Sequence, residues 1–342
     1  TELWHNGNTQ TELTNYFGEP LTDHRGRRLQ YLRFSLTEAC NMACTYCLPK
    51  GHPEWFRHKA RLALPEIRKI LTGFRRLGFN KVRFTGGEPT THPDCLAAVR
   101  FASYLGFETI ALTTNGLLIE NLREWISAGL THLNVSLDTI EPMAFKSLTK
   151  SDSIGVVMRL IDEAHSSDLQ LKINSVLMKS INGTVPQIER MIDWALSKAL
   201  TLRFIELMDT GLNKDFASKE RVLNSEIEPI LLSRGLKPET VLAGAMSVSG
   251  PSKNYAHDIL SGRIGLISPL SGNFCNSCNR LRVTARGHLK LCLFGDHDSP
   301  LDLKSPEAVA LNVRQLIGTK PDRHHLDTGK YGNVDTFRTI GG

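Results

Sequence analysis

Tyr31-Leu32-Arg33-Phe34-Ser35-Leu36, followed closely by Cys40-Asn41-Met42-Ala43-Cys44-Thr45-Tyr46-Cys47, sets the terms for the whole chain. The first run alternates, with Tyr31, Arg33 and Ser35 on one face and Leu32, Phe34 and Leu36 on the other, as a strand requires. The second run carries three thiols spaced C-x3-C-x2-C. A tetrahedral zinc site or a four-iron cluster normally takes four ligands, so three local thiols leave one position for a distant residue or a bound molecule.

Working outward, the strand pattern repeats. Lys81–Thr85, Thr109–Thr113, His132–Leu137, Leu171–Met178 and Leu202–Met208 read as further strands. Between them lie helical periods at Leu64–Leu77, Cys95–Leu105, Leu117–Ala128, Ile154–Ala164 and Val185–Leu196. Pro65 sits in a first helical turn, and Gly78, Gly106 and Gly129 stand where helices stop. Six strands alternating with five helices imply parallel β/α units. Lys81, Arg83 and Thr85 share a face, as do His132, Asn134, Ser136 and Asp138, and Lys172 and Asn174, whereas the sixth strand is mixed. A covered parallel sheet reads as apolar on both faces. Polar faces on several strands therefore favour a barrel whose lumen holds a polar ligand, over an open sheet. The expected fold is α/β, an incomplete (β/α)6 TIM-like barrel, with its chemistry at the C-terminal strand ends. Those ends carry the cysteine loop, Gly86-Gly87-Glu88-Pro89, Thr113-Thr114-Asn115-Gly116, Ser136-Leu137-Asp138 and Glu206-Leu207-Met208-Asp209, which would gather on one rim.

The totals are compatible with that reading. The chain has 342 residues, of which 41% are hydrophobic and 22% charged. No run of some 18 apolar residues suggests a membrane helix, and Thr1–Asn6 lacks the basic-then-apolar start of a signal peptide. A net charge of +6 suits an anionic small molecule and does not argue for nucleic acid. Six of seven cysteines fall in two clusters, which reads as metal binding in a reducing compartment rather than a disulfide framework. The seventh, Cys95, opens an apolar helix and reads as a core residue.

We divide the chain into an N-terminal arm with little regular structure (1–29), the partial barrel (30–210) and a C-terminal α+β region (211–342). Residues 211–260 read as a helix and an irregular connection. Arg263–Ser268 reads as a strand, and Leu281–Ala285 with His288–Phe294 as a hairpin turning at Arg286-Gly287. A helix spans Ser305–Ile317. Cys275, Cys278 and Cys292, spaced C-x2-C-x13-C, form a second trio without a local fourth ligand. Spacing favours iron–sulfur over zinc for the first trio and leaves the second open.

The C-x3-C-x2-C loop with Tyr46 before its last cysteine, and the Gly86-Gly87-Glu88-Pro89 motif, resemble the radical S-adenosylmethionine superfamily. Together with the second trio, Asn279-Arg280-Leu281-Arg282 and the terminal Gly341-Gly342, the chain from about Leu21 onward resembles the GTP 3′,8-cyclases of molybdenum cofactor biosynthesis. That resemblance implies a [4Fe-4S] cluster on Cys40, Cys44 and Cys47 whose open iron binds S-adenosylmethionine. Reduction would release a 5′-deoxyadenosyl radical that takes the 3′ hydrogen of GTP, and the carbon radical would close onto guanine C8. It implies a second [4Fe-4S] cluster on Cys275, Cys278 and Cys292, facing guanine. It places Tyr46, Gly87, Ser136 and Met208 at S-adenosylmethionine, and Arg33, Arg83, Thr113, Lys172, Arg280, Leu281 and Arg282 at GTP. Arg280, Arg282, Gly341 and Gly342 would serve catalysis. Implied partners are a reduced flavodoxin or ferredoxin, the downstream cyclic pyranopterin monophosphate synthase and a second copy in a homodimer. The implied location is the cytoplasm.

Two other classes stay in view. A peptide-modifying radical enzyme would usually carry more C-terminal cysteines, and a zinc-stabilised binding module leaves the polar strand faces unexplained. Taken singly, Met208 reads as core, Arg33 and Lys172 as solvated strand residues, and His165, His324 and His325 as surface. The family often has a basic pair where this chain has Thr90-Thr91-His92-Pro93.

Overall fold

The computed structural model describes residues 20–48, 60–239, 251–272, 275–296, 298–324, 326, 334 and 336–340. Among the described residues, twelve strands run in chain order: β1 (Tyr31–Ser35), β2 (Lys81–Thr85), β3 (Thr109–Thr114), β4 (His132–Ser136), β5 (Gln170–Leu177), β6 (Thr201–Glu206), β7 (Leu236–Pro238), β8 (Ser252–His257), β9 (Arg263–Ile267), β10 (Arg280–Val283), β11 (His288–Lys290) and β12 (Ser299–Pro300). They form one sheet in the order β12-β11-β10-β1-β2-β3-β4-β5-β6-β9-β8-β7.

The six expected strands are present in sequential order and all pair in parallel. The C-terminal half then extends this sheet at both edges. β10 adds in parallel beside β1, and β9 adds in parallel beside β6. Antiparallel hairpins finish each side.

Burial follows the alternation. Leu32, Phe34, Val82, Phe84, Leu133 and Val135 are fully buried in the main hydrophobic core. The opposite row is polar, and register decides who meets whom there. Tyr31 stands beside Lys81, Arg33 between Arg83 and Arg282, Asn134 beside Lys172 and Asn174 beside Arg203. β6 resolves as well: Arg203 and Ile205 face the interior, while Leu202 and Phe204 join the core.

Helices Leu64–Arg76, Cys95–Tyr104, Ile154–His165 and Val185–Ser197 match their expected positions to within about two residues at each end. The stop glycines Gly78, Gly106 and Gly129 have φ of 81°, 74° and 102°, which a side chain would disfavour. Helix Pro306–Leu316 docks on Leu64–Arg76 where Gly73 faces Val309; a Cβ there would press on that side chain and on the Pro306 carbonyl. The C-terminal region is thus packed against the first β/α unit.

Four expectations change. The helix foreseen at Leu117–Ala128 is confined to Leu122–Ser127. Turn chemistry holds its start open, since Gly116 N–H donates to Thr114 Oγ1 (2.9 Å) and Leu117 N–H to Asn115 Oδ1 (3.1 Å). A helix not foreseen spans Pro142–Thr149. The described residues of 211–260 form two helices, Lys214–Glu220 and Asn224–Ser233, and the edge strands β7 and β8. The part of the N-terminal arm that is described is an ordered reverse turn: Leu29 N–H donates to the Leu21 carbonyl, and Asp23 accepts from Arg25 and Arg27. No helix among the described residues is long and apolar enough to cross a membrane.

Candidate functional site

Two adjoining cavities fill the lumen. The upper one, about 200 Å³, lies at the C-terminal strand ends and is lined by Cys40, Cys44 and Cys47 with Tyr46, Gly87, Ser136, Asp138 and Met208. The lower one, about 210 Å³, is lined by Cys275, Cys278 and Cys292 and by the polar strand faces. Thr113, Asn174, Ile205 and Met208 line both and form the shared wall.

The upper loop is built by backbone pairing. Gly87 N–H donates to the Thr37 carbonyl (2.7 Å) and Glu88 N–H to the Ala39 carbonyl (2.6 Å). A Cβ on Gly87 would run into the carbonyls of Glu38 and Ala39. Glycine is therefore demanded here by the chain leading into the cysteine loop. Gly86, at φ 156°, lies equally close to Thr37. Glu88 is buried and accepts from Thr90 N–H (3.1 Å), Thr90 Oγ1 (2.6 Å), Thr114 Oγ1 (2.8 Å) and Asn115 N–H (2.7 Å). It ties the ends of β2 and β3 together. On the far side, Ala43 and Thr45 N–H donate to the carbonyls of Thr149 and Leu148, the free C-terminal acceptors of helix Pro142–Thr149. The Thr90–Pro93 segment serves packing: Thr90 binds Glu88, and the His92 ring reaches the Leu62 carbonyl at 2.8 Å.

Electrostatics differ sharply between the two cavities. In the upper one, burial pushes the Cys47 thiol up to about 12, with Cys40 and Asp138 adding and Arg338 opposing. Cys44 is raised for the same reasons, burial first. Burial lifts Asp138 to about 6 although Val176 N–H and Tyr46 donate to it. Burial thus favours the neutral thiols of Cys44 and Cys47, and bound iron would supply the positive charge that makes thiolates of them. Among the described residues no group of His, Cys, Asp or Glu closes on a single ion. The thiols line a wall, as ligands to a multi-iron cluster would.

The lower cavity is cationic. Arg33, Lys81, Arg83, Lys172, Arg203, Arg280 and Arg282 line it, and no carboxylate does among the described lining residues. Burial, then Arg203, Arg83 and Lys81, pull Lys172 down to about 7. Burial brings Arg33 and Arg203 to about 10. Burial would raise Tyr31, but Arg83, Arg33 and Lys81 outweigh it and lower the phenol to about 7. Arg83 donates to Tyr31 Oη (2.5 Å) and Thr113 Oγ1 (3.0 Å). Asn134 and Asn174 each hold a buried Oδ1 with no partner. Cys278 is drawn down to about 7 by Arg280 and Lys320 against the effect of burial.

Buried cations also brace the lower cysteine loops. Arg27, paired with Asp23 at 2.6 Å, donates to the carbonyls of Cys275 (3.0 Å), Asp322 (3.1 Å) and Pro321 (3.0 Å). Lys320 donates to the carbonyls of Arg280 and Leu291.

The sequence-derived residues sort cleanly. Tyr46, Gly87, Ser136 and Met208 line the upper cavity, and Arg33, Arg83, Thr113, Lys172, Arg280 and Arg282 the lower. Leu281 lines neither; its side chain is wholly buried on the other face. Gly341 and Gly342 lie outside the described residues. His324, read as a surface residue, is 9% exposed, lines the lower cavity and packs edge-on against Phe294. Tyr31, Lys81, Arg203, Asn134, Asn174, Asp138 and Arg338 are additional lining residues. Strand alternation had already placed Tyr31, Lys81, Asn134, Asn174 and Asp138 on polar faces. Nothing in the sequence singled out Arg203, His324 or Arg338.

Comparison with known proteins agrees with this geometry. Residues 34–195 match the pattern described as Radical SAM superfamily, and residues 200–326 that described as Molybdenum Cofactor Synthesis C. The chain is 39% identical to the GTP 3′,8-cyclase of Synechococcus elongatus over 330 residues, covering 94% of this chain and 99% of that one. It is likewise 39% identical to the GTP 3′,8-cyclase of Shewanella denitrificans, with 94% and 96% covered. Among solved structures, Streptococcus suis SuiB bound to the precursor peptide SuiA superposes with a TM-score of 0.61 at 14% identity, over 91% of this chain and 68% of that one. At that identity the likeness is one of fold.

Proposed function

Because the chain belongs to the GTP 3′,8-cyclase family of radical S-adenosylmethionine enzymes, and so acts on GTP in molybdenum cofactor biosynthesis, we propose a division of labour between its two cavities. Cys40, Cys44 and Cys47 hold the [4Fe-4S] cluster that the superfamily uses, and Tyr46, Gly87, Ser136 and Met208 surround S-adenosylmethionine. When bound, these groups supply the one-electron chemistry. Cys275, Cys278 and Cys292 hold a second cluster, with Arg280 and Lys320 favouring the thiolate of Cys278.

The remaining residues bind, orient and shield. The observation that carries the reading is the lower cavity itself: among its described lining residues, seven cations and no carboxylate, sharing a wall with a cysteine-lined cofactor cavity. Arg33, Arg83, Lys172, Arg203 and Arg282 neutralise the triphosphate in a partly dry site, where charge-assisted hydrogen bonds are strong. The unpartnered Oδ1 atoms of Asn134 and Asn174 accept from ribose hydroxyls or base N–H groups. Thr113, Asn174, Ile205 and Met208 set the distance between the reacting partners, which is the chief contribution a protein makes to such chemistry. Arg280 lies toward the guanine end, and Arg280, Arg282, Gly341 and Gly342 serve catalysis. A peptide-modifying role fits poorly with so concentrated a positive charge. Cytoplasmic action, a flavodoxin or ferredoxin donor, transfer of product to cyclic pyranopterin monophosphate synthase and a homodimer belong to the same reading.

Protein reconstituted anaerobically and given S-adenosylmethionine, reductant and a nucleotide panel tests this. The expected result is cyclised nucleotide and 5′-deoxyadenosine formed with GTP, about eight irons per chain, and about four in the Cys275→Ala variant. Equal 5′-deoxyadenosine with and without GTP, or full iron in Cys275→Ala, would overturn it.

A further inference from the structure

The segment preceding the two terminal glycines lies against the upper cysteine loop. Thr336 is buried and its Oγ1 donates to the Cys47 carbonyl at 3.2 Å. Two residues on, Arg338 is 5% exposed and donates to the Met42 carbonyl. Arg338 also lines the upper cavity, and among the described residues lining that cavity it is the sole cation, against the three carboxylates Glu88, Asp138 and Glu206. A long charged side chain is rarely buried without a partner that needs it.

We propose that Arg338 is a positioning residue for the first cluster: the C-terminal segment carries one positive charge to the Cys40–Cys47 loop and sets the reduction potential there. This deepens the reading above and rests on Cys40, Cys44 and Cys47 holding that cluster. The physical link is direct. Adding an electron makes the cluster more negative, and hydrogen bonds and positive charge at its sulfurs favour the reduced form. Met42 lies between Cys40 and Cys44, so the bond to its carbonyl brings the charge of Arg338 inside the cysteine loop, while Thr336 holds the loop's far end at Cys47. The Met42 carbonyl and the Thr336 anchor fix the guanidinium from either side. Since Arg338 arrives with the tail, an undocked tail would leave the cluster harder to reduce.

The test is an EPR-monitored redox titration of the reconstituted full-length protein, taking as the first cluster's signal the one absent from Cys40→Ala. Arg338→Gln removes the charge and is expected to lower the potential by roughly 59 mV, a tenfold shift in the one-electron equilibrium. Arg338→Lys keeps the charge but loses the planar fork, and is expected to fall part of the way. The second cluster's potential should not move in either variant. A wild-type potential in Arg338→Gln, or an equal drop at both clusters, would overturn the proposal. If Arg338→Gln fails to load iron, Arg338→Met, which also removes the charge, decides: a lowered potential supports the proposal and a wild-type potential refutes it. Absence of any signal that depends on Cys40 in the wild type would refute the cluster assignment instead.

Discussion

Triphosphate binding should take up protons, and the structure sets both sign and size. Lys172 titrates at about 7 in the free protein because of burial and its cationic neighbours, against 10.5 when unperturbed. Tyr31, under the same cations, also titrates at about 7 rather than 10.0. At pH 8 each is only about one-tenth protonated by that arithmetic. A triphosphate cancels the field that lowered them, so both climb back and each gains most of a proton. Binding at pH 8 should therefore take up between about one and two protons, and the apparent Kd should rise by up to about tenfold per pH unit per group. Near pH 8 GTP's terminal phosphate is almost fully ionised and its guanine N1–H still protonated, so uptake measured around that pH reports chiefly on the protein. The empty protein should show the opposite trend. Both folded-state values lie below the unfolded ones, so the unfolded chain binds more protons between about 7 and 10 and stability rises with pH across that window. The assay is isothermal titration of GTP in buffers of differing ionisation enthalpy, with Lys172→Gln and Tyr31→Phe each removing part of the uptake. Proton release, or an uptake unchanged in the double variant, would refute the reasoning.

Three further outcomes follow from packing. Gly87→Ala puts a methyl into the Glu38 and Ala39 carbonyls; it should cost roughly 1–3 kcal/mol in thermal unfolding and deplete iron at the first site, and normal iron would contradict it. Glu88→Ala strands the buried donors of Thr90, Thr114 and Asn115; a loss of about 3 kcal/mol in urea denaturation is expected, and under 1 kcal/mol would be a failure of this account. Arg27→Met leaves the Asp23 carboxylate buried without its partner; about 3–5 kcal/mol should be lost along with iron at the second site, and adding Asp23→Asn should restore part of the stability.

Much of the barrel was legible because a strand has a period of two and the inward row is polar on most strands. Arg33, Arg83 and Lys172 could be placed on that row from alternation alone. Arg203 could not, because its inward neighbour Ile205 is apolar and breaks the contrast between faces. Helix Pro142–Thr149 is short, and it leaves Met143 at 79% exposure, so no clean apolar stripe marks it. Yet its last carbonyls anchor the cysteine loop. β8 was hidden by composition, with Tyr255 its one buried side chain. The pairing of β10 with β1 joins residues such as Tyr31 and Arg280, too far apart in sequence for any local pattern to announce. Arg338 and His324 owe their roles to where the C-terminal chain is laid down, which local periodicity does not encode.

That β10–β1 pairing also decides how the two cysteine sites face each other. Sequence order suggested that the chemistry would gather on one rim, and the first trio does follow β1 at its C-terminal end. Cys275 and Cys278, however, precede β10, which runs parallel to β1, so they enter at the opposite end of the lumen. Cys292 follows the antiparallel return strand β11 and arrives at that same lower end. With a rise of about 3.3 Å per residue, the length of β1 separates the two trios by something over 13 Å. Neither site can then reach the other's ligand directly, and whatever reacts must span the gap. The inward row supplies the span: Arg33 between Arg83 and Arg282 midway, Thr113 and Met208 above, Arg280 below. A nucleotide fits such a channel because it is long, charged along one part and planar at one end. The base can rest at the lower cysteines while the ribose comes up to the shared wall, where a radical made above has the shortest path to it.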